Sequence, residues 1–424
     1  MEADKTTSDA DSDEPGREEL GKIRENGRKV GYVFEERFMW HTPWTVSYTP
    51  LVQPFQHWEG VETKRRFHNL LLVSGLYSKL KHLQPIEAAS KNVIEMVHTC
   101  SYIEDIQQKS GRTEGSYCDT ETTFSQYAFD IASLAVGGAI YSVDKVMSGE
   151  ISSAYVLCRP PGHHALPDKG MGFCIFNNIA IAAKHLLQAY PKDIKRVAIV
   201  DYDVHHGNGT QEVFYRDSNV LFVSVHQDSN FPLNSGNVDD IGEDEGKGTT
   251  INIPLPPGSG SGAYKCVFDT IVIPALHRFK PDFILVSSGF DASYADPLSA
   301  TILSSNDFRY MATSLIDAAG TLCAGRIAFM HEGGYSEIYV PFCGAAVIEA
   351  MLGVEPQECI KDPFIDEVSG WAGQELQGHQ CEAVDEVAVL HNFTRPVYPI
   401  GRGGRDFRRK PVGNPQNDDD LVGL

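Results

Sequence analysis

Val197-Ala198-Ile199-Val200-Asp201-Tyr202-Asp203-Val204-His205-His206-Gly207-Asn208-Gly209 decides how the rest of the chain is read. Four apolar residues run into a polar cluster with no turn residue between them. A short apolar run of this kind, rich in Val and Ile, fits a strand buried on both faces. Asp203 and His205 lie two apart, so on extended backbone their side chains point the same way. A carboxylate and an imidazole side by side suit a divalent ion. The pair alone carries little, since most Asp-x-His pairs are surface or structural residues.

The pattern recurs on both sides of this stretch. Ala154–Leu157 runs into Arg159-Pro160-Pro161-Gly162-His163-His164-Ala165, and Val220–Val225 into His226-Gln227-Asp228. Phe283–Val286 runs into Ser287-Ser288-Gly289-Phe290-Asp291-Ala292, and Ile327–Met330 into His331-Glu332-Gly333-Gly334-Tyr335. Val30–Val33 and Thr250–Ile253 are further β-rich runs. Helical spacing covers Glu62–Leu80, Phe124–Ser148, Asn177–Tyr190, Gly262–Phe279, Ser305–Cys323 and Val340–Leu352. Ser305, Asn306 or Asp307 is expected to cap the fifth of these. The alternation predicts an α/β fold, a single domain with a central, mostly parallel sheet flanked by helices on both faces. Ligands in such sheets bind beyond the carboxyl ends of the strands, so the five polar clusters are expected on one rim.

Three kinds of chemistry meet at that rim. Asp291 can join Asp203 and His205 as a third metal ligand, leaving positions open for water and substrate. His163 and His164 follow Pro-Pro-Gly and should lie on a loop. A neutral imidazole there can act as general base and then acid, against metal ligation or core packing as the plainer readings. Tyr335 follows two glycines, and its phenol can donate to an oxyanion; the plainer reading is a buried Tyr with a satisfied hydroxyl.

Composition narrows the classes. The chain has 424 residues, 42% hydrophobic and 22% charged, ordinary values for a globular protein. Its formal net charge of −21 disfavours a nucleic-acid surface and leaves room for a cationic substrate. No run reaches the roughly 18 apolar residues of a membrane-spanning helix, so no membrane partner is expected. Residues 1–29 hold no apolar signal-peptide core and are too acidic for a transit peptide. They read as a disordered acidic tail, residues 30–394 as the domain, and residues 395–424 as an extended tail. The basic positions Arg402, Arg405, Arg408, Arg409 and Lys410 give a weak nuclear-import hint, set against a solvated tail. Nine cysteines without a CxxC pair suggest a reducing compartment, cytoplasm and/or nucleus. Oligomeric state has no signature in the sequence.

The stretches PPGHHA, GFCIFNN, DYDVHHGNGTQ, SVHQ, SGFDA and EGGYS together resemble the zinc-dependent histone deacetylase family. They are most similar to its class II branch and the bacterial histone deacetylase-like amidohydrolases. The resemblance runs roughly from Gly31 to Gly353, and GYVFEERFMWH and ETKRR share it. It implies a hydrolase that removes acetyl groups from the ε-amino group of lysine in histone or non-histone proteins and peptides. It implies one catalytic Zn2+ on Asp203, His205 and Asp291. His164 becomes the general base and acid, and His163 its more electrostatic partner, paired with Asp201. Tyr335 polarises the carbonyl, and Phe173 and Phe231 wall a tunnel for the acyl-lysine stem. A structural K+ is implied on the side chains of Asp201 and Ser224 and the carbonyls of Asp203, His205 and Val225. Asn208 stands where class I members place an Asp beside the second His, as in class II. Leu298, after Asp296-Pro297, replaces the Glu of the polyamine-specific relative. Asp119 is the candidate for the rim Asp that orients substrate backbone.

Three rivals remain in view. An arginase-like ureohydrolase needs a second metal and a carboxylate where Gly207 stands. An acetylpolyamine amidohydrolase would use the same zinc site, with Leu298 arguing against it. A non-enzymatic scaffold has no need of His164 and Tyr335 beside three ligands.

Overall fold

The computed structural model describes residues 28–43, 57–84 and 86–395. Nearly all of the two tails expected at 1–29 and 395–424 lies outside these residues. Eight strands form the sheet: β1 (Val30–Val33), β2 (Lys81–His82), β3 (Ser153–Val156), β4 (Val197–Asp201), β5 (Val220–Gln227), β6 (Thr250–Leu255), β7 (Phe283–Ser288) and β8 (Ile327–His331). Their order is β2-β1-β3-β8-β7-β4-β5-β6, and every pairing is parallel. All carboxyl ends therefore share one edge.

Strand residues alternate between two cores, as the pleat requires. Ala198, Val200, Val223, Val225, Ile284 and Val286 enter one; Val197, Ile199, Val220, Phe222, Phe283 and Leu285 enter the other. Ten helices are used below: α1 (Glu62–Val73), α2 (Cys100–Ser110), α3 (Ala128–Met147), α4 (Asn178–Ala189), α5 (Asn208–Phe214), α6 (Ser261–Val267), α7 (Ile273–Phe279), α8 (Ser305–Leu322), α9 (Val340–Leu352) and α10 (Gly378–Leu390). The first core packs on α1, α6, α8, α9 and α10, the second on α3 and α4. Both faces are thus dry, as near-continuous apolar strands demand.

Local chemistry explains where the elements depart from expectation. The helix expected to reach Leu80 stops at Val73, because Gly75 takes a left-handed φ of 80° and Leu76–Lys79 makes a separate 3-10 turn. The segment expected as one helix over 262–279 is α6 and α7 joined by a π turn, Phe268–Val272. The cap of α8 is Ser304, one residue before those expected; Asp307 closes a capping box with it from the first turn.

Candidate functional site

The carboxyl ends of β4 and β7 bring Asp203, His205 and Asp291 together, all three buried. Their ligand atoms lie within 4.8 Å of one another. His205 Nδ1 stands 3.2 Å from Asp203 Oδ1 and 3.1 Å from Asp291 Oδ2. Backbone amides hold the carboxylates: Gly333 N–H donates to Asp203 Oδ2 at 2.8 Å and Val204 N–H to Asp291 Oδ1 at 2.9 Å. A Cβ at Gly333 would fall 2.0 Å from Asp291 Oδ2, so only glycine lets the β8 loop pass here.

Two carboxylates buried around one imidazole are short of positive charge. Burial and the neighbouring Asp203 push Asp291 up to about 6. Burial alone would lower His205, but its bonds to Asp203 and Asp291 raise it well above the usual imidazole value. A divalent cation relieves this imbalance, and the donors fit one. Among the described residues this is the group of three His, Cys or carboxylate side chains near enough to share an ion.

His163 and His164 follow β3 on an irregular loop, with ring centroids 4.0 Å apart. The two rings differ in their electrostatic surroundings. Burial would lower His163, but Asp201, 2.9 Å from its Nδ1, and Asp203 raise it to about 10. Burial, then His163 and His205, hold His164 well below its ordinary value. His164 Nδ1 meets Asn208 Oδ1 at 2.8 Å. The loop is clamped by buried Glu332, which accepts from Gly162 N–H at 2.7 Å and His163 N–H at 3.2 Å.

A cavity of about 570 Å³ opens over these groups, lined by His164, His205, Tyr335, Phe173, Phe231 and Leu298 among others. Burial and the Asp291 and Asp203 charges keep the Tyr335 phenol protonated. Phe231 meets the His164 ring edge-on at 5.0 Å, and Phe173 meets Tyr335 at 5.9 Å. Phe173 itself has φ 67°, held by Thr122 Oγ1, which accepts its N–H at 3.0 Å. Gly172 has φ 55°, and a Cβ there would lie 2.4 Å from the His164 ring.

The structure corrects one expectation. Asp119 does not line the cavity: its Oδ1 accepts the N–H groups of Glu121 and Thr122, closing a turn, while Thr120, Glu121 and Thr123 line the mouth. The polar end of β5 lies on the expected edge but beside the pocket. His226 lines a neighbouring cavity of about 430 Å³ with His206. Asp201 and Ser224 are Cα partners across β4 and β5, as the expected second cation set needs.

Other residues had no signal in the sequence pattern. Arg159, fully buried, donates from Nε to Glu59 Oε1 at 2.8 Å and from Nη2 to Glu59 O at 2.9 Å. This fixes the chain beside His57 and Trp58, which line the mouth. Gly207 leaves no space for the ureohydrolase carboxylate, since a Cβ there would stand 2.3 Å from Asp201 Oδ2.

Comparison with known proteins agrees with this geometry. Residues 57–351 match the histone deacetylase domain. A histone deacetylase-like amidohydrolase from Pseudomonas aeruginosa is 44% identical over 346 residues, 80% of this chain and 90% of its own. Histone deacetylase 10, chloroplastic, from Oryza sativa subsp. japonica is 38% identical over 331 residues, 74% of this chain and 72% of its own. The crystal structure of the HDA15 HD domain superposes with a TM-score of 0.74 at 29% identity, over 86% of this chain and 94% of that one. The fold, the buried donor triad and these matches agree that the chain belongs to the histone deacetylase family of hydrolases.

Proposed function

We propose that this chain hydrolyses ε-N-acetyl-lysine in proteins or peptides, with one zinc ion on Asp203, His205 and Asp291. The observation that carries this is the placement of that triad, His164 and Tyr335 under one aromatic-walled cavity. Zinc fits the donors: for bonds of about 2.0–2.1 Å, neighbouring ligand atoms of a tetrahedron stand about 3.3 Å apart. The His205 distances of 3.1 and 3.2 Å lie close to that. Bound there, zinc supplies a Lewis acid for the amide carbonyl and makes water more acidic.

The protein's own groups do the rest. Asn208 Oδ1 accepts a hydrogen bond from the Nδ1–H of His164, which leaves Nε2 free to accept a proton from the attacking water. His163, paired through Nδ1 with the Asp201 carboxylate at 2.9 Å, acts as the electrostatic partner beside the reacting centre. The Tyr335 phenol donates to the developing oxyanion. His164 then returns its proton to the lysine amine, and acetate leaves. Phe173, Phe231 and Leu298 line the cavity; we assign the two aromatic rings to an uncharged methylene stem and Leu298 to the gate. Asp201, Ser224 and the carbonyls of Asp203, His205 and Val225 form the set proposed for a potassium ion. The catalytic unit is proposed to span residues 30–394.

No described helix is long and apolar enough to cross a membrane, and all nine cysteines are free thiols. The thiols favour a reducing location, cytoplasm or nucleus.

The test is kcat/KM of zinc-loaded protein on an acetyl-lysine peptide and an acetylated polyamine, side by side. Preference for the peptide is expected. Preference for the polyamine would overturn the substrate while keeping the site. Chelation should abolish either activity, and zinc should restore it.

A further inference from the structure

None of the steps above uses Asp296. Its side chain is buried, five residues beyond Asp291 on the loop that leaves β7. Oδ2 accepts the backbone N–H of Tyr335 at 2.7 Å, and Oδ1 accepts that of Leu298 at 2.9 Å. The two amides belong to loops that leave different strands, Leu298 after β7 and Tyr335 after β8. Both residues line the cavity, and the Tyr335 ring stands 6.3 Å from that of His205. The Leu298 loop has further ties: Ser299 Oγ donates to the Asp291 carbonyl at 2.6 Å, and Asn230 Nδ2 to the Leu298 carbonyl at 3.4 Å. A single carboxylate therefore sets the spacing between the phenol and the gate. Its two oxygens accept the two N–H groups, one from each loop.

We propose that Asp296 is a positioning residue that couples the Tyr335 phenol to the Leu298 gate, so that turnover and amine selectivity are set together. The inference rests on the deacetylase reading above. If either loop shifts, the other loses its reference point. A misplacement of even about 1 Å at a reacting centre can cost about a hundredfold in rate.

Asp296→Asn tests it, because an amide NH2 cannot accept from a backbone N–H. Steady-state kcat and KM are measured on the acetyl-lysine peptide and the acetylated polyamine, with zinc content and thermal stability. The set is wild type, Asp296→Asn, Leu298→Ala, Tyr335→Phe and the two doubles that contain Asp296→Asn. Asp296→Asn should lower kcat about ten- to a hundredfold, up to the scale of a misplaced reacting group. Zinc content should stay unchanged, and the ratio of peptide to polyamine kcat/KM should fall at least about threefold. On a Tyr335→Phe background the kcat loss should shrink, and on a Leu298→Ala background the selectivity change should shrink. The coupling is overturned if both doubles are additive. It is also overturned if the variant lowers only the melting temperature, with kcat per active site and selectivity as in wild type. Asp296→Ser, smaller and still able to accept one hydrogen bond, decides the matter if the Asn variant does not fold. Failure of the underlying reading looks different: wild type would not turn over the peptide, or Tyr335→Phe would keep its full rate.

Discussion

At the floor of the pocket, Asp203 and Asp291 are fully buried and backbone amides from the loops after β4 and β8 bind them. At the mouth, Trp58 is 56% exposed and the Glu121 side chain faces solvent. The floor residues follow strand ends within a few positions; the mouth is assembled from loops near residues 57, 121, 230 and 298. Groups fixed by a sheet are held to fractions of an ångström, whereas loop residues can change without disturbing the core. The difference assigns chemistry to the floor and choice of substrate to the mouth.

The sharpest way to break this division is at the floor. Asp291→Ala should lose bound metal and lower kcat/KM by more than about a thousandfold. Metal analysis of the purified variant checks it, and stoichiometric metal retained there would remove Asp291 from the ligand set. Tyr335→Phe should be milder, lowering kcat about a hundred- to a thousandfold with KM and metal content near wild type. A change confined to KM would move Tyr335 from floor to mouth in its role. The smallest effect belongs to Glu121→Gln. It should weaken kcat/KM only about two- to fivefold, and only for peptides with Lys or Arg beside the acetyl-lysine, as exposed charge pairs do. That loss should fade as salt rises. A drop in kcat on neutral peptides would show that the mouth reaches into the chemistry.

The same division explains what is legible in the sequence. The seven major strands announce themselves as apolar runs, because a strand dry on both faces has no room for polar residues. Each polar cluster begins where a run ends, so the donor triad, His163, His164 and Tyr335 were all legible. The two-residue edge strand β2 is exposed and made of Lys81 and His82, so no apolar signal marks it. Helix α10 buries small residues, Cys381, Val384, Val387 and Ala388, among acidic ones that blur its stripe. The mouth was least legible. Asp119 looked suited to a rim role, but its carboxylate closes its own turn and Glu121 is turned outward instead. No spacing rule reports which residue of a four-residue turn faces a cavity formed by distant loops.

The order of the strands has a consequence for synthesis. β7 lies between β4 and β8, yet Asp291 follows Asp203 and His205 by a stretch that includes β5 and β6. His205 and Asp291 are 86 residues apart in the chain. At about 5–20 residues per second, a ribosome needs about 4–17 s to add that length. During that interval the nascent chain carries two donors and no third, and Tyr335 has yet to be made. On the proposed ligand set, tight metal capture therefore belongs to the finished sheet, after β7, whose following loop carries Asp291, has slotted in beside β4.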